Sequence, residues 1–209
     1  MSSQNDQTMT PSIEELLKDF DFQPELVERV AHRKVKHTIA IVEPDPTWPD
    51  HFARAKARIE SALGDTAVLI SHVGSTSVPG LPAKAVIDID LTVRDIDDEE
   101  AYVAQLENAG FHFLLREPHW HGHRLFCDYE PVPTNLHVWG PGSPEVVRHK
   151  IFRDWLIRNE HDRKLYEDIK RESSKASLEK GEDVMDYNRR KENVIREILK
   201  RAFKDLGYL

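Results

Sequence analysis

Two aspartates one residue apart, Asp88 and Asp90, carry the clearest chemical signal in the chain. They lie in Val86-Ile-Asp-Ile-Asp-Leu-Thr-Val93, where Ile87, Ile89, Leu91 and Val93 alternate with Asp88, Asp90 and Thr92. Strict alternation predicts a half-buried strand, with both carboxylates on one face about 6–7 Å apart. Like charges that close repel each other unless a cation lies between them, and carboxylate oxygens suit Mg2+ or Mn2+. Just upstream the apolar run Ala67–Val73 stops at Gly74, and a loop carrying Ser75, Thr76, Ser77 and Lys84 follows. Glycine lets a backbone approach phosphate closely, backbone and hydroxyl donors cradle it, and a lysine adds a mobile positive charge. Metal pair, phosphate loop and lysine in one strand–loop–strand unit point to phosphoryl or nucleotidyl transfer. Each part also has a plainer explanation, because Asp-x-Asp arises by chance, hydroxyl-rich loops are often only turns, and Lys84 fits a surface position before a strand.

These residues need a scaffold. Thr38–Val42 is β-branched and apolar and predicts a short strand or extended arm, punctuated by Pro44, Pro46 and Pro49. A helix from about Pro49 to Leu63 follows, with Phe52, Ala55, Ile59 and Leu63 on its apolar face and Trp48 as its anchor, and Gly64 stops it. After the aspartate strand, Asp95–Glu100 forms an acidic, solvated cap for a helix over Ala101–Ala109. Strands are expected at Phe111–Leu115, Arg124–Tyr129 and Asn135–Trp139. The sum is an α+β fold, a mixed sheet of about five strands with flanking helices. From Ser143 helices take over: Pro144 suits the first helical position, and helices are expected to about Arg158, over 160–179 and from Val184 to Leu206. Ahead of the core, the first ten or so residues are polar and expected to be disordered. Ser12 and Glu15 form a capping-box pattern, and a second short helix is expected after Pro24 with Leu26, Val27 and Val30 on its stripe. The division is an N-terminal helical extension over 1–36, an α+β core over 37–142 and a C-terminal helical region over 143–209.

The formal net charge of −8 argues against nucleic acid as the partner. A single cysteine, Cys127, precludes an internal disulfide and suggests a reducing compartment. No apolar run approaches the ~18 residues that span a bilayer, and the N-terminus lacks a signal-peptide pattern. A cytoplasmic location with no membrane partner is the expectation.

Gly74-Ser-Thr-Ser-Val-Pro-Gly-Leu81, followed by Ala83-Lys84 and Ile87-Asp-Ile89, resembles the signature of the GrpB-like family (UPF0157). The resemblance runs from about Ile39 to about Arg201 and takes in Trp48-Pro49, His123-Arg124, Leu136-His-Val138 and Phe152-Arg-Asp-Trp-Leu156. That family is assigned to the nucleotidyltransferase superfamily, so the resemblance implies a nucleotidyltransferase-like sheet with Asp88 and Asp90 as metal ligands and catalytic residues. It also implies a phosphate site at Gly74, Ser75, Thr76, Ser77 and Lys84. The superfamily usually places a third carboxylate on a later strand; here His137 stands in that region and Asp128 precedes it. His137 would ligate metal or act as a base, its ordinary pKa lying near neutrality; loss of the carboxylate would alternatively mean altered or lost catalysis. Arg124 is placed to meet a phosphate from the sheet, and Arg153 to grip one bidentately from the first C-terminal helix, unless it pairs with Asp154 or Asp168. Lys191, near Tyr187, is a weaker candidate for the same task, and His119, His121 and His123 make an unconvincing zinc set. The expected activity is Mg2+- or Mn2+-dependent transfer of a nucleotidyl group from an NTP, ATP first, to a small-molecule or protein acceptor. Alternatives are an ATP-dependent carboxylate-activating ligase, a non-catalytic nucleotide or coenzyme-A-precursor binding module (GrpB-like domains occur fused to dephospho-coenzyme A kinase), or a scaffold with a dead site.

Overall fold

The alternation in strand β3 (Ile87–Val93) divides the protein into two layers. Ile87, Ile89, Leu91 and Val93 are fully buried on one face of the sheet. There they pack with Trp48, Ala55, Ile59 and Leu63 of helix α2 (Trp48–Leu63) and Leu106 of α3 (Val103–Asn108). Trp48, 4% exposed, anchors α2 in this core. Asp88 and Asp90 project from the opposite face.

A computed structural model describes residues 10–35 and 38–209. The expectation of disorder at the extreme N-terminus falls on residues 1–9, outside the described residues. The sheet has six strands in the order β1-β4-β5-β6-β3-β2, with β1 Glu28–Arg29, β2 Ala67–Val73, β4 His112–Glu117, β5 His123–Asp128 and β6 Thr134–Trp139. Only β3 and β6 run parallel; the other neighbours are antiparallel, so this is a mixed α+β sheet.

Helices α4 (Pro144–Arg158), α5 (Glu160–Lys180) and α6 (Val184–Asp205) cover the loop that leads into β3. Val78 and Leu81 of that loop share a second apolar cluster with Trp155, Leu156, Tyr166, Ile198 and Ala202. Asp162 ties the three helices: it accepts from the Trp155 indole at 2.7 Å and from Arg201 Nε at 2.9 Å. Gly181 closes α5 in the left-handed conformation that favours glycine.

The N-terminal segment differs from expectation. Ser12 and Glu15 do form the capping box of α1 (Ile13–Leu17). After Pro24, however, there is a single 3-10 turn, Pro24–Leu26, and then the short strand β1, with Leu26 and Val30 exposed. The competing influence is the open edge of β4, whose unpaired backbone groups favour strand pairing: Val30 N–H and Ala31 N–H both donate to Leu114 O. This pairing supplies the sixth strand. Val42 bridges Ala83, so the Thr38–Val42 stretch is an arm and not a sheet strand. Among the described residues no helix is long and apolar enough to cross a membrane.

Candidate functional site

Parallel pairing sets the register of the acidic strand against β6: Asp88 lies beside Asn135 and Asp90 beside His137. Asp88 Oδ1 accepts from Asn135 Nδ2 at 2.7 Å, and His137 Nε2 stands 3.9 Å from the same oxygen. Asp90 accepts from the Trp139 indole at 3.0 Å through Oδ1 and from His149 Nδ1 at 2.9 Å through Oδ2. The two acids therefore differ in access. The Asp88 side chain is 29% exposed, whereas that of Asp90 is 1% exposed beneath His149. Burial pushes both carboxyl pKa values up, but His137, Asn135 and Lys84 at Asp88, and His149, His137 and Trp139 at Asp90, outweigh it and hold both below the usual range. His149 shows the reciprocal effect: burial opposes its charge, yet Asp90, Glu145 and Asp88 raise its pKa to about 9. The positive partner of the buried Asp90 is thus the His149 imidazole, whose raised pKa favours its charged form.

Behind His137 runs a buried chain. Glu117 Oε2 is 2.7 Å from His123 Nδ1, and His123 Nε2 is 3.0 Å from His137 Nδ1. Burial holds the His123 pKa well below its ordinary value, so its ring is neutral and carries one proton. If His123 Nδ1–H donates to a Glu117 carboxylate, His123 Nε2 must accept from His137 Nδ1–H. With the ring proton on Nδ1 alone, His137 Nε2 presents a lone pair toward Asp88 Oδ1; an N–H at Nε2 instead is what holds the Asp88 carboxyl low. Nitrogen and oxygen lone pairs facing each other form a donor set for a cation or a proton. Among the described residues no three His, Cys, Asp or Glu side chains make a ready metal site. Mg2+, which commonly takes one or two carboxylates, water and substrate phosphate, fits an accessible Asp88 with Asp90 behind it.

The loop after β2 approaches Asp88 as closely as its chemistry permits. Gly74 has φ 68°, and a Cβ there would lie 2.5 Å from Asp88 Oδ2, so no other residue fits without displacing the carboxylate. The hydroxyls are less free than the sequence suggests. Thr76 is buried, donates to Val86 O and contacts His72 Nε2, while Ser77 donates to Gly74 O. Both brace the loop; Ser75 remains at the surface of the site, in contact with Tyr166.

At the far end of this loop, which carries Lys84, lies a cluster of lysines. Lys84 and Lys191 stand over the Tyr187 ring at 4.9 and 5.2 Å, and Lys170 stands over Tyr166 at 5.0 Å while donating to Pro82 O. Burial, reinforced by their own mutual repulsion, lowers Lys84 to about 8 and Lys170 well below the ordinary lysine value; burial lowers Lys191 to about 8. Among the described residues no carboxylate forms an ion pair with any of the three. Asp88 is the negative charge that all of them sense.

Arg124 departs from expectation, while Arg153 takes the expected alternative of pairing with Asp154. Arg124 does not reach the site: it is buried, donating to Glu99, Asp97 and Gly122 O. Its partner Glu99, expected in a solvated cap, is bidentately bound by Arg116 as well. Strand alternation explains the placement, since His123 and Leu125 flank Arg124 and pair with the site side of the sheet. Arg153 pairs with Asp154 but also donates to His72 O at 3.0 Å, at the edge of the Gly74 loop. Of the suggested zinc set, His123 is engaged with Glu117 and His137, and His119 packs near Phe20. Sequence reasoning missed Glu117, Asn135, Lys170 and the Asp90–His149 pair. Only the alternation Asn135-x-His137-x-Trp139 offered a signal.

The family model described as GrpB protein matches residues 38–201. The chain belongs to the GrpB family. It is 44% identical to a UPF0157 protein of Halalkalibacterium halodurans, over 79% of this chain and 83% of that one. A UPF0157 protein of Streptomyces coelicolor is 39% identical over 78% and 84%. A dephospho-CoA kinase of Mycobacterium bovis is 32% identical over 69% of this chain, but the match spans only 43% of the kinase. The crystal structure of a conserved protein GrpB from Enterococcus faecalis shares the fold, with TM-score 0.69 and 24% identity over 80% of this chain and 99% of that one. Asp88, Asp90, His137, His149, Lys84 and Lys191 all fall within the GrpB region, whereas α1 and β1 precede it.

Proposed function

We propose that this GrpB-family chain is a metal-dependent nucleotidyltransferase that moves a nucleotidyl group from an NTP, ATP first, to a hydroxyl-bearing acceptor. The observation that carries this reading is the juxtaposition of a carboxylate pair at Gly74 with lysines at the far end of the same loop that, among the described residues, have no carboxylate ion-pair partner. Uncompensated, partly buried cations favour an anionic ligand, and a carboxylate pair favours a divalent cation; a metal-bound polyphosphate satisfies both. Mg2+ or Mn2+ held by Asp88, with Asp90 behind it adding negative charge, would neutralise phosphate charge and acidify the acceptor hydroxyl. The chain's own residues do the rest. Lys84 and Lys191 hold the β- and γ-phosphates, and the backbone at Gly74 and Ser75 donates to phosphate oxygen. His137 Nε2 takes the proton of the acceptor hydroxyl. The acceptor oxygen bonds to the α-phosphorus, the bond to the bridging oxygen breaks, and pyrophosphate leaves. Membership of the nucleotidyltransferase superfamily is part of the proposal.

The test is pyrophosphate release from each NTP in the presence of Mg2+ and a metabolite extract as acceptor source. Release from one NTP is expected, and Asp88→Asn should abolish it without lowering the melting temperature. Release that persists in Asp88→Asn refutes the assignment. The match to part of a dephospho-CoA kinase favours one second reading, a binding module for nucleotide or a coenzyme-A precursor. That module would bind its ligand equally well with and without Mg2+ and release no pyrophosphate.

A further inference from the structure

The segment ahead of the GrpB region is tied down along its length toward the site. Arg148 of α4 donates to Leu16 O and Lys18 O and pairs with Asp19. Phe20 stacks on Trp120 at 4.7 Å, and Arg196 of α6 holds Phe20 O and Asp21. β1 then adds to the sheet edge at Arg116 and Leu115. Past β1 the chain turns over the sheet face that carries the aspartates: Lys34 N–H donates to the Tyr129 hydroxyl at 2.7 Å. Arg33 Nη2 donates to Asn135 Oδ1 at 2.8 Å, and the same amide donates to Asp88. A guanidinium thus stands one side chain away from the accessible aspartate, and its charge is felt at Lys84.

A positive charge held beside the site attracts phosphate oxygens. Asn135 uses its oxygen for Arg33 and its nitrogen for Asp88, which fixes the guanidinium relative to the carboxylate. The region matched by the family model contains Lys84 and Lys191 but not Arg33. We propose that the N-terminal arm is a component of the site and that Arg33 is a phosphate-binding residue, completing with Lys84 and Lys191 a pocket for a polyphosphate chain. This rests on the reading of the lysine cluster as the seat of the phosphates. The arm would then set affinity for the phosphate tail in a way that relatives lacking it do not share.

The test is calorimetric titration of the full-length protein with inorganic tripolyphosphate at low ionic strength in the presence of Mg2+. Four proteins are compared: wild type, Lys84→Gln, Arg33→Ala and Arg33→Lys, each with its melting temperature. Wild type should bind, and Lys84→Gln and Arg33→Ala should each bind about tenfold more weakly. Arg33→Lys should retain most of the affinity, because charge and not arm geometry is what it keeps. If Lys84→Gln loses affinity while Arg33→Ala stays within about twofold of wild type, the arm is only structural and the inference is overturned, with the lysine pocket intact. If Arg33→Lys is as weak as Arg33→Ala, the guanidinium serves to hold Asn135, and phosphate binding by Arg33 is likewise overturned. If wild type does not bind, or Lys84→Gln binds as wild type does, the polyphosphate reading fails and the inference goes with it.

Discussion

Asp90 and His149 show how a charge that chemistry asks for can be supplied from a distant element. Adjacent aspartates called for a cation, and the fold provides an imidazolium from α4 at 2.9 Å. This pair makes a prediction in the stability of the protein. The His149 pKa in the folded state, about 9, lies above its ordinary value of 6.5. The stabilisation is therefore fully present below pH 6.5 and is lost as pH rises through 9. Lys84 and Lys191 act in the opposite sense above pH 8, because folding depresses their pKa values. They cancel in the difference between wild type and His149→Gln. That difference in melting temperature should be largest at pH 6 and shrink toward pH 9; a constant difference contradicts an ion pair. Residue types alone exposed the aspartates, Gly74, Lys84 and His137. They did not expose His149 as the partner of Asp90 or Glu117 behind His123, since both contacts join positions far apart in sequence or across a turn. Arg124 was misplaced because its sequence neighbourhood said nothing of Glu99, 25 residues away, which claims it.

At the scale of elements, long periodic segments were legible and short, context-dependent ones were not. β3, α2 and the C-terminal helices follow from alternation, helical spacing and the Gly and Pro residues that bound them, and the structure has them where the pattern puts them. β1 has two residues and no pattern of its own; its conformation comes from the edge of β4. The same logic separates robust from fragile junctions. Asp162 is 1% exposed and holds Trp155 of α4 and Arg201 of α6 to α5. Its removal leaves a buried indole N–H and a guanidinium without their acceptor. Asp162→Ala should lower stability by about 3 kcal/mol, read as a fall in the urea midpoint with an unchanged slope. An unchanged midpoint would mean that apolar packing of Val78 and Leu81 alone holds the three helices in place.

For the whole molecule, a chain with net charge −8 keeps three lysines together without a carboxylate ion-pair partner among the described residues. Such clustering is unfavourable for folding and persists where function requires it. Lys191→Met, which keeps the aliphatic stem and removes the charge, should raise the melting temperature by roughly 2–4 °C while weakening polyphosphate binding. Loss of stability instead would show that Lys191 is a structural cation. The central claim is that carboxylate pair and lysine cluster bind one metal-bound polyphosphate. Electron paramagnetic resonance of Mn2+ titrated with ATP tests it most directly. The account predicts a protein-bound Mn2+ signal that needs ATP, disappears in Asp88→Asn and weakens in Lys191→Met. ATP bound equally well with or without Mn2+, and unchanged by Asp88→Asn, would contradict it.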